Sequence, residues 1–144
     1  MDPRHFVTLA GFLAARAGAE NCRTSISRSY YSLYLVVNLF MIENGIPIPK
    51  KKSECHEKVY NVLNNCGVDD LKNVAVILNE LRVKRNEADY DMSLSETENP
   101  RTAQFYAERA KEAIATFDAF CAKRQESVPL VNAMKNYCEM VKLT

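Results

Sequence analysis

The sequence lacks tryptophan and contains few of the residues that interrupt helices. Its 144 residues include only 4 glycines and 5 prolines, whereas the helix-forming residues alanine, leucine, glutamate, lysine and arginine are frequent. No segment alternates apolar and polar residues in the manner of a half-buried β-strand. The composition therefore predicts an all-α protein, and the length is that of one domain with a core of its own.

A large net charge and a long apolar run are also missing. The formal net charge is +1, so any RNA site must be local rather than spread over the surface. The longest apolar stretch, residues 33–42, is interrupted by Asn38 and is far shorter than the ~20 residues that span a bilayer. The first residues lack the apolar core of a secretory signal peptide. We therefore expect a soluble, cytoplasmic protein without a membrane partner.

Cysteine and histidine do not occur in the patterns of the common metal sites. The five cysteines are odd in number, and no pair forms Cys-x-x-Cys, so a disulfide framework or a structural zinc site is not expected. The only histidines, His5 and His56, have no further ligands at metal-binding spacings. We expect reduced thiols, no metal and no cofactor.

Apolar residues at helical spacing predict an up-and-down bundle of about five to six helices within a single domain, 1–144. The second helix has apolar residues around most of its circumference and is expected at the centre of the bundle. Gly45 is its predicted stop signal. Ser53 and Asn99 are predicted N-caps. The predicted helices are 3–17, 22–44, 53–67, 69 or 70 to about 90, 100 to about 124, and a shorter one after Pro129. Predicted inward-facing residues include Phe6, Leu9, Leu13, Ala17 and Phe105.

The buried face of the fourth helix ends in charges. Its leucine-rich stripe continues into Arg85, with Arg82 one turn before it and Asp89 one turn after it. Arg85 and Asp89 are four residues apart and can pair on one helical face. A buried charge is costly unless it is paired. Two interpretations stay open: an ion pair that closes the end of the bundle, which spacing alone favours, or a functional site.

Two segments, in this order and separation, resemble the HEPN domains of prokaryotes. The first is Ser-Arg-Ser-Tyr-Tyr at 27–31, early in the second helix, and the second is Arg-Asn-Glu-Ala-Asp-Tyr at 85–90. The loop with two prolines, followed by His56 at the start of the next helix, also fits the family. The resemblance covers about the first two-thirds of the chain, and the ordered set is more specific than either segment alone.

This resemblance implies a function and partners. HEPN domains are small helical bundles and commonly homodimers. Many are metal-independent ribonucleases of toxin–antitoxin, phage-defence and CRISPR systems, and many are encoded beside a small nucleotidyltransferase that serves as a partner. In the nuclease members, four to six residues separate an arginine from a histidine that follows it, and both protomers contribute to the site at the dimer seam.

The sequence departs from the nuclease motif at one position. Tyr90 stands where the histidine is expected, and no histidine follows it. Arginine suits the stabilisation of a phosphorane through its fixed donor fork. Histidine suits removal of the 2′-hydroxyl proton because its pKa lies near neutrality, whereas an ordinary tyrosine, with a pKa of ~10, is a poor base at pH 7. The departure favours binding over cleavage.

We therefore predict an RNA- or nucleotide-binding component of a toxin–antitoxin or defence system, paired with a nucleotidyltransferase. The alternatives are a metal-independent endoribonuclease, with Arg85 and Tyr90 as catalytic residues, and a non-catalytic structural or regulatory helical dimer. His56 either packs locally or approaches Arg85 in space and partly restores a base. The predicted ligand-binding residues are Arg28, Tyr31, Arg82, Asn86 and Asp89.

Overall fold

The described part of the chain folds into six α-helices and one short 3₁₀ helix. The computed structural model describes residues 1–16 and 18–142, without the side chain of Lys52. No described residue lies in a β-strand, so the predicted all-α class is confirmed. The helices are α1 (Arg4–Ala14), α2 (Ala19–Glu43), α3 (Lys52–Asn64), α4 (Asp69–Tyr90), α5 (Pro100–Cys121) and α6 (Arg124–Lys142), with the 3₁₀ helix at Ser95–Glu98.

Helix α2 lies at the centre of the bundle and packs against α1, α4 and α5. Its side chains Ile26, Leu33 and Val37 are fully buried, as the apolar spacing predicts. The helix ends at Glu43, and Gly45, two residues later, adopts a positive φ of 74°. The amide of Gly45 donates to the carbonyl of Ile42 at 3.1 Å and the next amide donates to Met41 at 2.9 Å. These two bonds form a Schellman motif, which satisfies carbonyls at the helix end.

Helix α4 runs beside α2, α3 and α5 and carries the predicted charged end of a buried stripe. Leu71, Leu78 and Leu81 are almost fully buried, and Arg85 continues their face at 9% exposure. An ion pair of 2.7 Å between Arg109 and Glu80 joins α5 to the middle of α4. The predicted placement of Arg85 on the apolar face is confirmed.

The predicted inward faces of α1 and α5 are wrong in part. Leu9 is 43% exposed and Phe105 is 53% exposed. The side chains of α1 that are buried in the core of the bundle are Ala10 and Ala14. For α1 the physical reason is close approach: Ser25 of α2 donates to the Ala10 carbonyl at 2.7 Å, and Ser32 donates to the carbonyl of Pro3, just before α1, at 2.8 Å. Such bonds require small residues at the contact, and larger side chains are turned outwards. The predicted stripe also included Ala17, which lies outside the described residues.

Helix boundaries also differ from prediction at the starts of α3 and α6. Helix α3 begins one residue before Ser53, with Lys51 at the N-cap position, so the predicted cap is wrong. Helix α6 begins at Arg124 and contains Pro129 instead of following it. The predicted cap of α5 is confirmed, because the Asn99 side chain accepts a hydrogen bond from the Arg101 amide at 2.9 Å. Within the described residues, no helix combines the length and apolarity that a membrane span requires.

Candidate functional site

Three helices bring aromatic and cationic side chains together near the C-terminal end of α4. The group, here termed the aromatic–arginine cluster, comprises Tyr30, Tyr31 and Tyr34 from α2, His56 from α3, and Arg82 and Arg85 from α4. The tyrosines follow a helical period on α2, so they present neighbouring rings to α3 and α4. The two arginines lie almost one helical turn apart.

Arg85 is surrounded by aromatic rings. Its Cζ lies 5.4 Å from the ring centroids of both Tyr30 and Tyr31, and 5.9 Å from that of Tyr90. These distances are within the range of cation–π attraction, which is stronger where water is excluded. The rings therefore hold the guanidinium in place without using its hydrogen-bond donors.

The hydrogen-bonding capacity of Arg85 is almost unused. Its Nη1 lies 3.7 Å from Oδ2 of Asp89, which is longer than a hydrogen bond between these atoms. Its Nε is buried and has no hydrogen-bond partner among the described residues. Buried polar groups are almost always paired in native proteins. A guanidinium has five donors, so this residue is an exception that needs a reason.

Arg23 on α2 is equally buried and provides the comparison, because it is 8% exposed. It donates to the Glu98 carboxylate at 2.8 Å and to the carbonyls of Glu87, Ala88, Asp91 and Leu94 at 2.9–3.4 Å. These bonds tie the end of α4 and the following loop to α2. Arg23 thus has the saturated environment of a structural arginine, which Arg85 lacks.

His56 lies inside the cluster, so the open question about its position is answered. Its Nδ1 shares a short hydrogen bond with the hydroxyl of Tyr30, and its ring stacks on Tyr34 with centroids 4.2 Å apart. Burial lowers the pKa of His56 below its ordinary value, and the charges of Arg82 and Arg85 lower it further. His56 is therefore neutral at pH 7 in the free protein.

Tyr30 and Tyr34 keep their protons at physiological pH. Burial raises the pKa of Tyr34 to about 12 and also raises that of Tyr30. Their hydroxyls thus contribute dipoles and no negative charge. The cluster has two arginines and a neutral histidine, with the half-buried Asp89 as the carboxylate beside Arg85.

The structure brings most of the predicted ligand-binding residues to this cluster. Asp89 approaches Arg85 and accepts a hydrogen bond of 3.4 Å from Ser27. Arg28 lies 5.1 Å from the ring centroid of Tyr31, which it shares with Arg85, and 5.0 Å from that of Phe6. Arg28 therefore joins the edge of the cluster on the side of α1.

Two of the predicted residues lie at the exposed side of α4. Tyr90 is 75% exposed, and its ring faces Arg85. Asn86 is exposed, and no described contact links it to the cluster. The predicted site is thus a half-buried cationic group with one exposed aromatic ring beside it.

Sequence reasoning missed the role of Arg23 and left His56 undecided. Arg23 lies four residues before Ser27, so helical spacing places both on the face of α2 that meets α4. That spacing was an available signal for a buried arginine. His56 had no such signal, because its approach to Arg85 depends on how α3 docks.

The donor set of the cluster suits an anion. Among the residues that the structure describes, no three histidine, cysteine or acidic side chains are grouped as metal ligands. Guanidinium and hydroxyl groups instead bind phosphate or carboxylate oxygens. The groove between α1 and α5, with a volume of about 380 Å³, is lined by residues such as Val7, Phe12 and Ala107 and contains no cluster residue.

No protein-family model, no curated protein and no solved structure matches this chain. The cluster geometry and the HEPN-like segments are therefore the observations on which a function can be based.

Proposed function

We propose that the aromatic–arginine cluster binds RNA or a nucleotide through a phosphate group. The observation that carries this proposal is the side chain of Arg85, which is buried and makes no hydrogen bond among the described residues. A planar guanidinium matches two phosphate oxygens at once and is weakly hydrated. A phosphate beside Arg85 would use the donors that the protein leaves open and would neutralise a charge that is costly when unpaired.

The neighbouring side chains support a nucleotide rather than a simple anion. Arg82 adds a second guanidinium, and Arg28 lies against the same ring as Arg85. Tyr90 is exposed beside Arg85, and Tyr31 is half-buried. Aromatic rings next to a cationic groove stack on bases and add affinity without requiring a particular sequence.

The proposed assembly is a homodimer that uses the exposed face of α4. Val76, Val83 and Tyr90 are exposed and lie seven residues apart, at 57%, 48% and 75%. Residues with this spacing share one face of a helix, which a second copy of the same helix can cover. This seam would place the two Tyr90 side chains, and the clusters beside them, close to the dimer interface. Membership in a toxin–antitoxin or defence pair with a nucleotidyltransferase depends on the HEPN resemblance.

The binding proposal is tested with a fluorescently labelled, short oligouridylate, by anisotropy. Arg85→Gln and Arg82→Gln should each weaken binding by about tenfold or more, because each removes a charged hydrogen bond to phosphate. Arg124→Gln is the matched control. Arg124 is exposed and adjoins Lys123, which lies near Asp70 at the opposite end of α4. Absence of oligouridylate and nucleotide binding by the wild-type protein would reject the proposal.

The position of His56 in the cluster supports metal-independent cleavage of RNA as a second candidate function. When its Nδ1–H donates to the oxygen of Tyr30, its Nε2 is free to accept a proton from a 2′-hydroxyl. Arg85 would then stabilise the phosphorane. This assignment gives His56, instead of Tyr90, the role of base.

The cleavage hypothesis predicts RNA cleavage by transesterification in EDTA. The 2′-oxygen displaces the 5′-oxygen, so the products end in a 2′,3′-cyclic phosphate and a 5′-hydroxyl. His56→Gln and Arg85→Gln should each abolish this activity, whereas Tyr90→Phe should retain it. If the purified dimer leaves RNA intact under conditions where it binds RNA, the protein is a binder and this second function fails.

A further inference from the structure

His56 and Arg85 contact the same two rings of the aromatic–arginine cluster. The imidazole centroid lies 5.6 Å from that of Tyr30 and 6.2 Å from that of Tyr31. The Arg85 Cζ lies 5.4 Å from each of those centroids. The imidazole and the guanidinium therefore adjoin the same two rings, and the charges of Arg82 and Arg85 act on His56. A negative ligand held by these arginines would also act on His56.

The groups that face His56 oppose a positive charge on it in the free protein. Arg82 and Arg85 of α4 repel an added charge, and burial removes solvation. Tyr30 and Tyr34 of α2 remain uncharged because burial raises their pKa values.

No negatively charged group of the cluster offsets the repulsion from the two arginines or the loss of solvation. Tyr31, also on α2, meets the imidazole edge to face. Asp89 is the carboxylate of this region, and it is engaged by Ser27 and Arg85.

A bound phosphate would instead favour the protonated form of His56. Its negative charge offsets the two arginines and offers oxygens to a third donor. The hydrogen bond between Nδ1 and Tyr30 fixes the orientation of the ring. In the protonated imidazole, Nδ1–H donates to the Tyr30 oxygen and Nε2–H is available for the ligand.

We propose that His56 takes up a proton when a phosphate group binds at Arg82 and Arg85, and that it then serves as the third ligand of that phosphate. This inference rests on the proposed phosphate-binding function and adds the protonation state in which the ligand is held. The proton comes from solvent, so no bond other than N–H is formed.

The direction of the pH dependence follows from linkage. Because phosphate favours the protonated imidazole, the pKa of His56 is higher in the complex than in the free protein. Affinity is lowest above the pKa of the complex and rises as the pH falls towards the pKa of the free protein. Within that window it changes by up to about tenfold per pH unit.

The experiment is isothermal titration calorimetry of the full-length protein with a short oligouridylate that has a 5′-hydroxyl. Neither uracil nor a phosphodiester titrates near neutral pH, so a proton taken up on binding is accepted by a group of the protein. Titrations in buffers with different ionisation enthalpies give the number of protons bound per ligand. The wild type should take up a fraction of one proton, and this fraction should change with pH through the window.

Two variants distinguish proton uptake by His56 from proton uptake by His5, the only other histidine of the sequence. His5→Gln changes an exposed residue of α1 and should retain the proton uptake. His56→Gln should bind with no uptake and with an affinity that no longer depends on pH in this range. NMR of the two histidine imidazoles in the wild type provides an independent measurement, in which the His56 pKa should rise on adding oligouridylate.

The possible results are distinct. Binding by the wild type without proton uptake, or uptake that persists in His56→Gln, overturns the role of His56 but leaves the proposed function intact. If His56→Gln does not fold, an unchanged His56 pKa in the wild-type NMR titration overturns it equally. Absence of any oligouridylate binding removes the proposed function itself, and this inference with it.

Discussion

At the scale of single residues, two buried arginines of this chain have opposite environments. The side chain of Arg23 makes five hydrogen bonds, and that of Arg85 makes none among the described residues. The side chains are buried to almost the same degree, so burial does not explain the difference. Arg23 connects parts of the fold, whereas Arg85 keeps donors for a partner outside the fold.

The same substitution at both positions should therefore change stability in different ways. Arg23→Met leaves backbone carbonyls and Glu98 without their donor and should lower the free energy of unfolding by about 3 kcal/mol. Arg85→Met removes a poorly paired buried charge, and methionine packs well against tyrosine rings. Its free energy of unfolding should be unchanged or higher. Urea denaturation measures both values.

This pair of variants also tests the structural interpretation of Arg85. If Arg85 and Asp89 only close the bundle, Arg85→Met should cost about 3–5 kcal/mol and leave oligouridylate binding as it was. Retained stability with lost binding excludes that interpretation.

At the scale of helices, the sequence predicted those whose buried face consists of large side chains. The leucine stripe of α4 predicts which face of that helix is buried, and the apolar circumference of α2 predicts its central position. The structure confirms both predictions. The predicted buried face of α1 was wrong because the residues that contact the core are Ala10 and Ala14. Alanine side chains are small, so they add little to the apolar pattern from which the face was predicted. Its position depends instead on hydrogen bonds from serines of α2 to the carbonyls of Ala10 and of Pro3, which precedes the helix.

Helix α6 was predicted too short because of Pro129. A proline inside a helix removes one backbone hydrogen bond and clashes with the preceding turn, at a cost of about 3 kcal/mol or more. Helix α6 nevertheless begins five residues before it, and Leu130 and Met134 pack into the core. The burial of these side chains outweighs the local cost of the proline.

Pro129→Ala should consequently raise the free energy of unfolding by up to about 3 kcal/mol. Alanine restores the missing amide donor and has the best helix propensity. The melting temperature and the helical circular dichroism signal should both increase. Lower stability in this variant would mean that Pro129 fits its helix without strain.

At the scale of the whole molecule, exposed apolar side chains on α4 predict the assembly. Val83→Glu places a charge in the middle of the proposed seam and should convert the dimer into a monomer in sedimentation velocity. Val128→Glu is the matched control, because Val128 is exposed to a similar extent on α6, at 51% against 48%. A wild-type protein that sediments as a monomer at micromolar concentration would contradict the dimer.

The sequence located part of the candidate site because that part is local. Arg82, Arg85 and Asp89 share a helical face, and Tyr31 belongs to a recognisable segment. The approach of His56 to Arg85 depends on the packing of α3 against α4, and the five bonds of Arg23 depend on the path of the loop after α4. Spacing along the chain does not encode such tertiary contacts.

Arg23 also has a consequence for hydrogen exchange. One side chain of α2 holds the last turn of α4, the residues after it and Glu98 of the 3₁₀ helix. These elements lose their common partner together when that side chain withdraws. The amides of residues 88–98 should therefore exchange with one opening free energy, as a single cooperative unit, although they belong to two helices and the turn between them.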